Sequence, residues 1–195
     1  YNMKTLSAGS YYLTEDVTLE DDLSISGAVN LCLNGWKLDM GSNHISVSGD
    51  AVLTICDCSS GQTGTVTSSS TVISASGALH LYGGSVISTG RYGSEAVSLS
   101  SGGSLYMFGG TVNGGGAYAI QADINDSGIV DIRGGTIVSE EAFAIYFTAD
   151  PGSKLILGGE VSISSGEDSA DIYLENCTTN APITVNELTL PDGEP

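Results

Sequence analysis

The chain is expected to be all-β, a single parallel β-helix of about six to seven coils of 22–26 residues with three strands per coil. The first observation behind this is a returning pattern: Leu79-His80-Leu81-Tyr82-Gly83-Gly84-Ser85-Val86, Leu105-Tyr106-Met107-Phe108-Gly109-Gly110-Thr111-Val112, Val130-Asp131-Ile132-Arg133-Gly134-Gly135-Thr136-Ile137 and Lys154-Leu155-Ile156-Leu157-Gly158-Gly159-Glu160-Val161. Its first glycines are 26, 25 and 24 residues apart. The second is apolar alternation with a period of two on both sides of each Gly-Gly, which makes the unit a pair of strands around a corner. The third is composition: 27 glycines against four prolines suit many short strands joined by tight corners.

The elements follow in order. Tyr11 to Leu19 lacks the Gly-Gly pair but alternates in its second half, as an atypical first repeat would, and residues 1–22 are assigned to an N-terminal capping coil. Leu23 to Gly27 is a strand ending at a corner. Placing Gly35 on Gly83 puts Leu31, Leu33 and Leu38 inside. Ile45-Ser46-Val47 and Leu53-Thr54-Ile55-Cys56-Asp57 supply the next coil, with Asp57 at the first-glycine position and Ser59 to Thr63 inserted before Thr65-Val66 resumes the pattern. A third strand closes each coil: Ile73 to Ala75, Val97 to Leu99, Ile120 to Ala122, Ile145 to Phe147 and Ile172 to Leu174. Residues 23–176 form the regular coils, 177–190 a C-terminal cap around Ile183 to Leu190, and 191–195 the start of a linker. The expectation is one domain, 1–195, of a longer chain.

In this register the core falls into columns. Leu31, Leu53, Leu79, Leu105 and Val130 make the first, which Lys154 breaks; Leu33, Ile55, Leu81, Met107, Ile132 and Ile156 the second; Leu38, Val66, Val86, Val112, Ile137 and Val161 the third. The outward rows beside them are Thr54, His80, Tyr106, Asp131, Leu155 and Cys56, Tyr82, Phe108, Arg133, Leu157.

Charge narrows the partners. With 23 Asp and Glu against five Lys and Arg, a net of −18, there is no basic surface to neutralise a run of phosphates, so nucleic acid is not expected. No apolar run approaches the roughly 20 residues of a membrane span, so membrane insertion is not expected either.

The run Tyr11 to Leu19, then Leu31-Cys32-Leu33-Asn34-Gly35 and Leu53-Thr54-Ile55-Cys56-Asp57-Cys58-Ser59, resembles the start of pectin-lyase-like right-handed β-helix modules of surface proteins in Gram-positive gut anaerobes. The resemblance implies a right-handed solenoid in an extracellular protein, secreted or attached to the cell wall. The wider fold includes polysaccharide lyases, glycoside hydrolases, and non-catalytic adhesion or carbohydrate-binding modules, and fold alone does not choose among them.

The candidate ligand site is His80, Tyr82, Tyr106 and Phe108 with Asp131 and Arg133 beside them, an aromatic platform on which sugar rings could stack. The competing reading is aromatics that stack on one another to support parallel strands. Asp131 and Arg133 read as a surface ion pair. The Asn-Thr-Asp, Asp-Asp and Gly-His-Gly series of polygalacturonases and the arginine-proline motif of pectate lyases are missing, so no catalytic residue is assigned. The expected partner is a glycan or a host surface ligand, alongside other domains of the longer chain. The alternatives are a lyase or hydrolase on the same face, and a rigid spacer.

No cofactor is expected. Calcium has one candidate, Asp123, Asn125, Ser127, Gly128 and Asp131, whose twelfth position is Gly134 rather than an acid and which suits a corner between strands. Cys32, Cys56, Cys58 and Cys177 are expected to be reduced, with no metal assigned, because Cys56-x-Cys58 lacks a partner pair at zinc spacing. A Cys32–Cys56 bridge is the minority option, the two lying on diagonal positions in this register.

Overall fold

The computed structural model describes residues 3–124, 128–149, 152–166, 168–175 and 183–188. It is all-β, a parallel β-helix of about six turns consistent with a right-handed coil, and no helix occurs among the described residues. Every strand pairing is parallel and joins one coil to the next.

Three faces build the coil. The first carries Val52–Cys56, Ala78–Leu81 and Ser104–Met107, continued by the starts of Ile129–Val138 and Lys154–Ser164. The second carries Lys37–Asp39, Thr65–Ser68, Ser85–Ser88 and Thr111–Asn113. The third carries Ile45–Val47, Ile73–Ala75, Val97–Ser100, Ile120–Ile124, Ile145–Ala149 and Ile172–Glu175, all at the expected positions. Ile183–Leu188 pairs with the strand of the preceding coil.

Each inward position stacks on its equivalent above and below. Leu53, Leu79, Leu105 and Val130 are wholly buried in one column, and Ile55, Leu81, Met107 and Ile132 in the next. Burying each of these side chains is worth about 1.5–3 kcal/mol, so the columns rather than local strand propensity hold the coil together.

The Gly-Gly signature has a steric cause. Gly110 adopts φ 83°, and a Cβ there would lie 2.6 Å from the carbonyl oxygen of Gly84 in the coil before. Only glycine allows the left-handed turn and the close stacking of successive corners together.

Two parts of the expected register are corrected. In the first coil Val29 pairs with Leu53 and Leu31 with Ile55, two residues away from the alignment on Gly35. The corner from Leu31 to Leu38 is two residues longer than the Gly-Gly corner from Leu81 to Val86, and it places Leu33 in the interior as an additional buried residue. In the last regular coil Leu155 pairs with Val130 and Leu157 with Ile132, so both leucines are core and Ile156 faces outward. Lys154 pairs with Ile129 beyond the column, because a shift of one residue exchanges the two faces and keeps the ammonium in solvent. A further shift at Gly134 brings Ile163, not Val161, opposite Ile137.

Candidate functional site

His80 and Tyr106 sit on the first face, in register with each other and with Asp131. Alternation aims all three outward, because Leu79, Leu81, Leu105 and Met107 beside them point into the core. Tyr82 and Phe108 stand one step past the strand ends, where their amides still donate to Ile55 and Leu81 of the preceding coil at 2.9 and 2.8 Å. The backbone ladder therefore fixes both rings just ahead of the Gly-Gly corner. All six predicted residues share one face.

The rings pair in two ways. Tyr82 and Phe108 stack nearly parallel, centroids 4.9 Å apart and planes 15° from each other. His80 and Tyr106 meet edge to face at 5.1 Å and 81°. Tyr82 and Phe108 are 51 % and 45 % exposed, which leaves about half of each side chain open to a ligand. Burial lowers the His80 pKa below its ordinary value, so the imidazole is neutral at pH 7 and offers one donor and one acceptor. The Arg133 guanidinium donates to both oxygens of Asp131, at 2.5 and 3.2 Å. That bidentate contact holds the two charges at the rim of the aromatic patch. Asp131 is the one carboxylate in the two outward rows that carry the patch, so they contain no pair of carboxylates for acid–base cleavage of a glycosidic bond.

A second aromatic group spans the third face and the corners ahead of it. Tyr118, Phe143, Tyr146 and Tyr173 form a near-parallel stack across three coils, with centroid separations from 4.6 to 6.4 Å and interplanar angles from 5° to 18°. The Tyr146 hydroxyl donates to the Glu175 carboxylate. Burial first, and then the neighbouring Tyr92, Glu95, Glu175 and Tyr173, push the Tyr118 phenol above its ordinary pKa. The residue pattern carried a signal for this group. Ala117-Tyr118-Ala119-Ile120 and Ala142-Phe143-Ala144-Ile145 repeat one motif ahead of the same strand, with buried alanines on either side of each ring.

The cysteines depart from expectation. Cys32 is directly in register with Cys56 rather than diagonal to it, a consequence of the long first corner. Cys32 is bonded to Cys58, with 6.2 Å between their Cα atoms, and Cys56 is the free thiol between them in sequence. The corner that turns Cys58 back is organised by Asp57. Its carboxylate accepts from the amides of Gly35 at 2.9 Å, Ser59 at 2.9 Å and Gly64 at 2.5 Å, which ties the inserted loop to two coils. Burial works to raise the Asp57 carboxyl, and the donors from Ser59, Gly64 and Gly35 outweigh it, leaving the pKa below the ordinary value. Burial and then the Asp57 charge raise the Cys56 thiol. Cys177 lies outside the described residues, as do Asn125 and Ser127 of the calcium candidate.

Compared with protein-family models, with curated proteins and with solved structures, the chain matches none. The functional reading therefore rests on the geometry of these surfaces.

Proposed function

We propose that the chain is a non-catalytic, pectin-lyase-like surface module that binds a glycan through His80, Tyr82, Tyr106 and Phe108, with Asp131 and Arg133 at the rim. The observation that carries this reading is the half-exposed Tyr82–Phe108 pair, held by backbone hydrogen bonds to the preceding coil at the ends of two stacked strands. Aromatic rings give a sugar its apolar contact, while phenol, imidazole and guanidinium groups bond its hydroxyls. An extracellular setting, secreted or attached to a cell wall, is supported by the Cys32–Cys58 bond, since disulfides persist in oxidising compartments. The acidity of the chain favours a neutral glycan over an acidic polymer.

The test is a glycan-array screen of the whole chain with and without calcium, repeated with Tyr106→Ala and Phe108→Ala. A specific hit that both variants lose, at unchanged melting temperature, is the expected result. Release of new reducing ends or of an unsaturated sugar would overturn the non-catalytic reading. Silence with and without calcium would leave rigidity as the module's contribution.

A further inference from the structure

We propose that Cys32, Cys56 and Cys58 form, in the reduced chain, a three-thiolate site for a thiophilic d10 cation of the zinc(II) or copper(I) type. Their sulfur atoms all lie within 4.8 Å of one another. Zinc–sulfur bonds of about 2.3 Å place sulfurs on a common ion roughly 3.8–4.0 Å apart, so once reduced Cys32 and Cys58 separate from bonding distance to flank the ion, while Cys56 already lies within 4.8 Å of both.

The fold explains why these three meet. Cys32 and Cys56 are outward neighbours on adjacent coils, in register, and their backbones are fixed by the sheet. Cys58 comes back over them because Asp57 gathers the amides of Gly35, Ser59 and Gly64 into a closed corner. The Cys58 amide donates to the Cys32 sulfur at 3.2 Å, a contact that favours sulfur carrying negative charge. Cys58 is exposed and Cys56 half-buried, so an ion has access from solvent on one side and a wall on the other. Thiolates select soft cations over calcium or magnesium. Three protein donors leave a fourth position for water or an external ligand on zinc, and satisfy copper(I) with none added.

The Cys32–Cys58 bond makes the site conditional on redox state. Two external thiols, or a phosphine with one water, reduce the bond: two electrons and two protons go to the Cys32 and Cys58 sulfurs, and the thiols leave as their disulfide or the phosphine as its oxide with the water's oxygen. A divalent ion then displaces three thiol protons as it binds. Oxidised, the cluster retains Cys56 alone as a thiol.

The experiment uses the full chain, reduced with a phosphine under anaerobic conditions and titrated with cobalt(II) as a coloured substitute for zinc(II). The expected result is one equivalent bound, with sulfur-to-cobalt charge-transfer absorption that zinc(II) abolishes by displacement. Cys56→Ser should weaken binding at least tenfold, and Cys58→Ala likewise, while Cys177→Ser leaves it unchanged. The oxidised wild-type chain should show no charge-transfer band. Oxidised Cys56→Ser, which retains the Cys32–Cys58 bond, should melt as the wild type does and so separates loss of a ligand from loss of the fold. Absence of the band in the reduced chain, equal binding by Cys56→Ser, or loss of binding in Cys177→Ser would each overturn the proposal.

Discussion

Among the described residues, two groups of mutually stacked aromatic residues face outward on this solenoid, and they are built differently. The Tyr82–Phe108 and His80–Tyr106 pairs are short, each confined to two adjacent coils, with one pair stacked and the other edge to face. The group of Tyr118, Phe143, Tyr146 and Tyr173 spans three coils, and each ring lies against two or three others at shallow angles. In the longer group the rings spend their faces on one another. In the shorter group Tyr82 and Phe108 remain about half exposed, beside the Asp131–Arg133 ion pair. Aromatic stacking contributes about 0.5–1.5 kcal/mol per pair beyond burial, so the longer group, with five ring contacts against two, gains more stability.

The largest effect should come from the longer group. Phe143→Ala removes contacts with Tyr118, Tyr146 and Tyr173 and should cost about 3 kcal/mol, seen as a fall in melting temperature of about 6–10 °C, with glycan binding retained. Loss of binding at unchanged stability would reverse the roles assigned to the two groups. Next, Tyr82→Ala should weaken the glycan identified on the array by about tenfold, equivalent to about 1.4 kcal/mol, while the melting temperature moves by less than about 2 °C. A comparable loss of stability in that variant would make the short pair structural as well. The smallest effect concerns His80. Its folded pKa lies below the unfolded value, so the folded state binds fewer protons and stability falls as pH drops from about 6.5 through the folded pKa. Above about pH 6.5 this contribution is flat. His80→Gln should remove that part of the slope, so the variant loses less melting temperature than the wild type as pH falls below about 6.5, read by parallel melts. Identical slopes would show that the imidazole keeps its solution pKa.

The site residues were legible in the sequence as far as alternation reaches. Once Leu79, Leu81, Leu105 and Met107 are inside, His80, Tyr82, Tyr106 and Phe108 must be outside and stacked coil on coil, and the pairings confirm the register. The longer aromatic group was partly legible: Tyr146 and Tyr173 follow the first residue of known third strands, but Tyr118 and Phe143 belong to corners, where alternation does not apply. The cysteine cluster was not legible, because it depends on a corner two residues longer than the others and on a loop closed by one buried carboxylate.

The sequence by itself determined that the chain coils, roughly how many residues make a coil, and which side chains line the interior of the central Gly-Gly coils. Those properties follow from the period of two and from glycines that alone permit tight, closely stacked corners, both of which are local. Tertiary structure decided the register across unequal corners, which moved Leu31, Leu155 and Leu157 to other columns. It decided too which rings cover each other and which sulfurs converge. These outcomes depend on distances between coils, set by corner geometry and by the Asp57 hydrogen bonds, and residues a full coil apart in the chain carry no local mark of them.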